Sequence, residues 1–278
     1  MGETTIGLLH PGEMGAAVGQ CLATAGHEVL WLPAGRSEAT AKRAKAAGLT
    51  EAADLADLVR RADVIMSVCP PRAALEIARQ VAGFGGLYLD ANAISPATAR
   101  EVAGIVEAGR ATYVDGGIIG TPPVAPGFIR LYLSGDRAGE IRALFEGTGP
   151  DVRLVNGDAA DPAGAEPGGG GPVGAASAVK MAYASWTKGS AALLLAARAL
   201  AQAEGVQDAL LAEWGISQPG LEERAARAAG SAAQKGWRWI AEMEEIAASM
   251  ATAGLPDGFH QAAAEMYRRS AGAATAAD

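Results

Sequence analysis

A chain of 278 residues has room for one large or two modest domains around a substantial core. Half of the residues are hydrophobic but only 5% are aromatic, and its 37 glycines are nearly twice the usual share, so small residues must do much of the packing. A net charge of −8 disfavours nucleic acid as a partner, because phosphate binding needs a basic face. Cys21 and Cys69 are too few for a disulfide framework, and His10, His27 and His260 lack metal-ligand spacing, so no metal is expected. No apolar run approaches the roughly 20 residues of a membrane span. The expectation is a reduced, cytoplasmic protein that handles a small molecule.

Thr4–Leu9 reads as a strand, residues 10–15 as a turn, Ala16–Ala25 as a helix stopping at Gly26, and His27–Leu32 as a second strand. Strand, Gly-bearing turn, helix and strand open a dinucleotide-binding unit. Gly12 would let the backbone approach a pyrophosphate and Gly15 would allow close helix–strand packing. Pro11, Glu13 and Met14 complete the turn, and His10 stands where the first glycine of Gly-x-Gly-x-x-Gly is expected. The second strand is followed not by an acidic residue, as NAD would favour, but by Arg36 and Ser37, which suit the 2′-phosphate of NADP. Glu38 begins a helix, and Lys42 or Arg43 can add charge from it.

Alternation continues with a helix over Leu55–Arg61, a strand over Ala62–Val68 and a helix over Pro71–Val81. The strand Leu87–Asp90, the helix Ala97–Ala108 and the strand Thr112–Asp115 follow. Further strands are expected at Ile129–Ser134 and Val152–Val155, with a helix at Arg137–Phe145 between them. The alternation as far as Asp115 predicts a parallel sheet, which the later strands extend, with ligands at the carboxyl ends of its strands. Cys69, Pro70 and Asn92 therefore join the candidate cofactor residues, as does the turn near Gly117. Residues 156–172 are crowded with Gly, Pro, Asp and Ala and read as a linker.

From Val173 onward the chain reads as helix after helix, the first over about Gly174–Glu204, with breaks at Gly205, near Gly215–Gly220, at Gly230 and at Gly254–Pro256. Lys180 lies two turns into that first helix, with Tyr183, Ala184 and Thr187 at i+3, i+4 and i+7 on the same face. A lysine there is either an ordinary solvated residue or an amine held beside a reacting hydroxyl, carbonyl or imine.

The chain resembles the β-hydroxyacid dehydrogenases, which include 6-phosphogluconate and 3-hydroxyisobutyrate dehydrogenases, and is most similar to a branch with a short, distinct C-terminal domain. The cofactor turn matches as Pro11-Gly12-Glu13-Met14-Gly15. The family's Gly-x-x-Gly-x-Gly-x-x-x-Lys motif corresponds to Gly171, Gly174, Ala176 and Lys180, with alanine for the third glycine. The segment Lys235-Gly236-Trp237-Arg238-Trp239 resembles the Lys-Asp-Leu segment on the nicotinamide side. The resemblance implies a Rossmann-type α/β domain (residues 1–156), a linker (157–172) and an all-α domain (173–278) for substrate binding and dimerisation. It implies NADP(H) as cofactor, Lys180 as general acid/base and Lys235 beside the cofactor, and a homodimer through the helical domain.

Two departures concern the substrate. The family's carboxylate-binding serine is replaced by Ile119, beside Gly120, and its Asn-Asn pair by Tyr183-Ala184. A carboxylate buried against Ile119 and Ala184 would lack partners, at a cost of several kcal/mol. Tyr183, Thr187 and Trp237 suit a larger or less charged alcohol, carbonyl or imine. The alternatives are an imine reductase on the same scaffold and a non-catalytic protein that binds NADPH or a metabolite. Glu242–Glu245 reads as a solvated face, His260 as a histidine with a structural hydrogen bond at a helix start, and Ser270–Asp278 as a frayed tail.

Overall fold

The computed structural model describes residues 4–122, 128–155 and 169–275, with side chains as far as residue 270. Residues 157–168 of the expected linker lie outside that range. Two compact units are distinguished, Met1–Lys180 and Met181–Asp278, and the division falls inside a helix.

The first unit begins with β1 (Thr5–Leu9), α1 (Glu13–Thr24), β2 (Glu28–Trp31), α2 (Glu38–Ala46) and β3 (Thr50–Glu51). It continues with α3 (Leu55–Arg61), β4 (Val64–Ser67), a 3₁₀ turn at Pro71–Ala73 running into α4 (Ala74–Gln80), and β5 (Leu87–Asp90). Then come α5 (Pro96–Glu107), β6 (Thr112–Ile119), β7 (Arg130–Ser134), α6 (Ala138–Leu144) and β8 (Asp151–Leu154). Helix starts are marked by side chains that accept from the third residue on: Ser37 from Thr40 N, Asp54 from Asp57 N and Ser95 from Thr98 N.

The strands form one sheet in the order β3-β2-β1-β4-β5-β6-β7-β8. The first six positions have the Rossmann order, with a switch point between β1 and β4. Both faces are covered. Ile6, Leu8, Val29, Trp31, Met66 and Leu89 pack with residues of α1, α2 and α6. Leu30, Ile65, Tyr88 and Tyr113 pack on the other side with residues of α3, α4 and α5.

The parallel sheet expected from the alternation holds through β6, and the direction changes at β7. β6 runs on to Ile119, and β7 pairs with it antiparallel, Asp115 opposite Ser134 and Ile119 opposite Arg130. A parallel return needs a crossover of about a dozen residues or more, and only residues 120–129 separate the two strands. Gly120 makes the turn possible with φ of +134°, and a Cβ there would meet the Phe128 carbonyl oxygen at 2.3 Å.

The helix α7 (Ala175–Ala203) begins in the first unit and continues into the second, followed by α8 (Gln207–Ser217), α9 (Leu221–Thr252) and α10 (Gly258–Thr275). The expected break at Gly230 is absent. The buried stripe of α9 passes through Ala225, Ala228, Ala232, Gly236, Met243 and Ile246, and continued burial outweighs the roughly 1 kcal/mol that a helical glycine costs. Glu242 is likewise not solvated. It is buried and paired with Lys188, while Glu244 stays at the surface with Arg268. The Lys188 amine also stands 5.6 Å from the centre of the Trp239 ring. Tyr267 donates to the Lys188 carbonyl at 2.6 Å and meets Trp239 edge-on at 5.1 Å. These contacts fasten α7, α9 and α10 together. At the C-terminus α10 runs to Thr275, and residues 276–278 of the tail expected to fray lie outside the described residues.

Candidate active site

At the switch point, β1 delivers the chain into a tight turn. Gly12 N donates to the His10 carbonyl at 2.8 Å, and Ala16 N to the Gly12 carbonyl at 2.9 Å, starting α1. His10 adopts φ of +73°, a left-handed conformation that glycine takes freely and a β-carbon makes costly. The turn of the glycine-rich motif is thus kept although its first glycine is absent. Gly15 is needed for packing, since a Cβ there would lie 2.6 Å from the His10 carbonyl oxygen. Gly12 has the opposite character: a Cβ there would meet nothing within 4 Å. Its side faces open space at the N-terminus of α1, which has no side-chain cap and carries Glu13 in its first turn. Pro11 is buried, and Met14 packs on the core.

Arg36 follows a short turn closed by Arg36 N donating to the Pro33 carbonyl at 3.1 Å. Its Nε is buried and has no hydrogen-bond partner, as is the case for His10 Nδ1. Burial, and next the nearby Arg36 charge, hold the His10 imidazole down at about 4, so it is neutral at physiological pH. The Ser37 hydroxyl is occupied as the cap of α2, accepting from Thr40 N and meeting the Thr40 hydroxyl at 3.1 Å.

Beyond β4 the predicted cofactor residues form a closed set. Asn92 is buried, and its amide spans two partners: the oxygen accepts from Cys69 N and the nitrogen donates to Ser67 Oγ at 3.1 Å. Asn92 N donates to Asp90 Oδ1 at 2.9 Å. Asn92 therefore braces the turn that carries Cys69 and the exposed Pro70. Burial, with Asp90 nearby, pushes the Cys69 thiol up to about 12, which leaves it unreactive. Asp90 itself is completely buried, and burial raises its carboxyl to about 7, with the nearby Asp115 pushing the same way.

Lys180 sits where β6 and α7 meet. Gly117 permits the approach: a Cβ there would lie 2.7 Å from the Ala176 carbonyl oxygen and 3.2 Å from Lys180 Cβ. The Lys180 amine donates to the Ile118 carbonyl at 2.8 Å. Ile118 lies past Asp115, which is level with the last residue of β5, so the amine stands beyond the carboxyl ends of the parallel strands. That is where ligands of open α/β sheets bind. Ile119 is buried, 3% exposed, and offers no polar group.

The remaining predicted residues belong to the second unit. Tyr183 is 46% exposed and its carbonyl accepts from the Thr187 hydroxyl at 3.2 Å; Ala184 is buried. Lys235 and Trp237 lie on the exposed side of α9, with the Arg238 guanidinium 5.0 Å from the Trp237 ring centre. His260 is buried with Nε2 3.4 Å from the Ser185 carbonyl oxygen, as expected, and it also lines an apolar groove. Among the described residues, no group of three or more His, Cys, Asp or Glu side chains could hold a metal ion. No described helix is long and apolar enough to cross a membrane.

Sequence reasoning overlooked Asp90 and undervalued Asp115. The signal lay in a repeat on neighbouring strands, Tyr88-Leu89-Asp90 and Tyr113-Val114-Asp115. The two tyrosines stack with ring centres 6.2 Å apart, and the two acids are level with one another.

The family model for the NAD binding domain of 6-phosphogluconate dehydrogenase matches residues 5–146, and a domain of unknown function (DUF1932) matches residues 201–270. An uncharacterized 28.5 kDa protein of Methanothermus fervidus is 32% identical over 178 residues, which span 64% of this chain and 63% of that protein, just under two thirds of its length. A solved conserved protein of unknown function, described as structurally similar to 3-hydroxyacid dehydrogenases, is 28% identical with a TM-score of 0.64, covering 96% of both chains. Two more distant structures share the fold. The 3-hydroxyisobutyrate dehydrogenase of Mycobacterium tuberculosis is 21% identical with a TM-score of 0.67, covering 98% of this chain and 94% of that one. A reductive aminase of Aspergillus terreus in complex with NADPH is 21% identical with a TM-score of 0.58, covering 97% and 94%. With the first match spanning just over half its length, the chain belongs to the family of the NAD binding domain of 6-phosphogluconate dehydrogenase.

Proposed function

We propose that the protein is an NADP-dependent oxidoreductase of the β-hydroxyacid dehydrogenase type, with Lys180 as its general acid/base. The observation that carries this reading is the Lys180 amine at the carboxyl end of the sheet, 2.8 Å from the Ile118 carbonyl oxygen. An amine there can protonate a developing alkoxide, or take a hydroxyl proton in reverse, a contribution of about 10²–10⁴ in rate. The bound nicotinamide supplies the hydride chemistry.

The turn fits a dinucleotide. Gly12 faces open space beside the N-terminus of α1, the arrangement that accepts a pyrophosphate. The choice of NADP rests on Arg36, whose buried Nε lacks a partner, and on the absence of any acidic residue from Trp31 to Ser37. Arg36→Ala is expected to weaken NADPH binding at least tenfold while changing NADH binding less than twofold, measured by fluorescence titration. Equal losses for both nucleotides would remove the case for NADP.

The substrate reading follows from Ile119 and Ala184, which are both buried and apolar. They favour an alcohol or carbonyl compound other than a simple small 3-hydroxy acid, with Tyr183, Thr187 and Trp237 as substrate-binding candidates and Lys235 beside the cofactor. An imine substrate is the second reading, favoured by the likeness to the reductive aminase. A panel of 3-hydroxy acids, ketones and cyclic imines, followed by NADPH formation or consumption, separates the two. Tight NADPH binding with no turnover on any of them would instead establish a non-catalytic binding protein.

The functional form is a homodimer through the helical unit. Trp186, Leu193 and Leu200 of α7 recur every seven residues and are 69%, 68% and 64% exposed, the spacing of a helix–helix seam. Beside them, Phe259 and Met266 of α10 help line an open apolar groove of about 710 Å³. A second copy of the chain is the natural cover for an apolar surface of this kind.

A further inference from the structure

A row of buried polar side chains crosses four adjacent strands of the first unit. Ser67 on β4 is level with Asp90 on β5, Asp90 with Asp115 on β6, and Asp115 with Ser134 on β7. None of the four is more than 1% exposed. At one end of the row, Asn92 joins Ser67 to Cys69 N and so braces the turn after β4. At the other end the row meets the start of α7.

That meeting is dense in hydrogen bonds. Asp115 Oδ2 accepts from Ser134 Oγ at 3.0 Å and from Ser177 N at 2.9 Å, and Asp115 Oδ1 accepts from Ser177 Oγ at 2.6 Å. Ala176 N donates to Ser134 Oγ at 3.0 Å. Two amides of the first turn of α7 are thus satisfied by strand side chains. Gly174, the residue before the helix, has no side chain to cap with and adopts φ of +94°. A carboxylate at this end of a helix is also favoured by the helix dipole. Gly117 presses the same turn against β6. Lys180 comes one turn after Ser177, so a helix fixed at 176 and 177 has little freedom in where it delivers the amine.

We propose that Asp115 is a positioning residue: with Ser134 and Ser177 it locks the first turn of α7 onto β6 and thereby sets where the Lys180 amine stands. Its importance for catalysis rests on the reading of Lys180 as the acid/base. Its effect on the helix and on the amine is independent of any substrate.

The test compares Asp115→Ala, Asp115→Asn and Ser177→Ala with the unaltered full chain. Three quantities are read: amide hydrogen exchange at the start of α7, the labelling rate of Lys180 by an amine-reactive reagent, and NADPH affinity. Exposed Lys42 serves as the internal labelling standard. Asp115→Ala and Ser177→Ala are expected to raise exchange at the start of α7 at least tenfold and to change Lys180 labelling at least threefold. NADPH affinity and Lys42 labelling should stay within twofold. Asp115→Asn keeps an acceptor for Ser134 and Ser177 N and is expected to restore most of the protection. If Asp115→Ala does not fold, Ser177→Ala carries the test, because it removes one bond from an otherwise intact site. Exchange and labelling within twofold of the unaltered chain would overturn the proposal, as would a rise spread evenly over all helices. A Lys180→Met variant that keeps its turnover would sink the catalytic reading alone and leave these measurements standing.

Discussion

Asp90 gives a sharp test of the buried row. Its carboxyl is fully buried, accepts from Asn92 N at 2.9 Å, and has Oδ2 without a partner. Burial first, and Asp115 in addition, raise it from 3.8 to about 7. Folding therefore favours the protonated form. The stability is fully present below the unfolded value near 3.8 and is lost progressively as the pH climbs to about 7. Across that window the loss runs at about 1.4 kcal/mol for each step of one in pH. Between pH 5 and pH 8 the loss should come to about 2–3 kcal/mol. Asp90→Asn can keep the acceptor for Asn92 N and has no charge to bury. Relative to the unaltered protein, it should gain about 2–3 kcal/mol on going from pH 5 to pH 8, or roughly 4–10 °C in Tm. Thermal melts of both proteins at both pH values measure the difference, and the subtraction cancels groups common to the two. Melting curves that move in parallel with pH, within about 1 °C, would refute the claim that Asp90 is protonated in the folded state.

Two further predictions concern the helical unit. Lys188→Met removes the Lys188 cation from the buried Glu242 and should cost about 3 kcal/mol by denaturant unfolding, most of it recovered in Lys188→Met/Glu242→Leu; an additive double variant would contradict the pairing. Leu193→Arg places a charge in the exposed α7 seam and should convert a dimer to a monomer by light scattering without lowering helix content. A variant of unchanged mass would show that the seam is not the interface.

The N-terminal turn was legible because its constraints are local. Gly12 and Gly15 are three residues apart, and each answers to the same short loop. The left-handed His10 was only half legible: it stands at the place of the motif's first glycine, but that place alone does not say that a histidine keeps the turn. Most strands and helices of the first unit were readable from alternation, whereas the short β3 was not, and nothing in the pattern of β7 gave its direction. Its direction is set by the length of the connection from Ile119, not by the composition of the strand. Asp115 draws on partners 19 and 62 residues away, at Ser134 and Ser177. No local pattern announces such a bond. The apolar spacing of α9 was legible in principle, but Gly230 was weighed as punctuation when the stripe around it continued unbroken. Glu242 was misjudged for a related reason: the neutralising Lys188 lies 54 residues back on another helix.

The central claim is that Lys180 moves the proton while the N-terminal turn holds the nucleotide. Its most direct test is NADPH affinity and turnover measured on one preparation of Lys180→Met, using whichever substrate of the panel the unaltered protein accepts. NADPH affinity should stay within twofold of the unaltered protein, and turnover should fall by about 10²–10⁴. Undiminished turnover in that variant would contradict the claim.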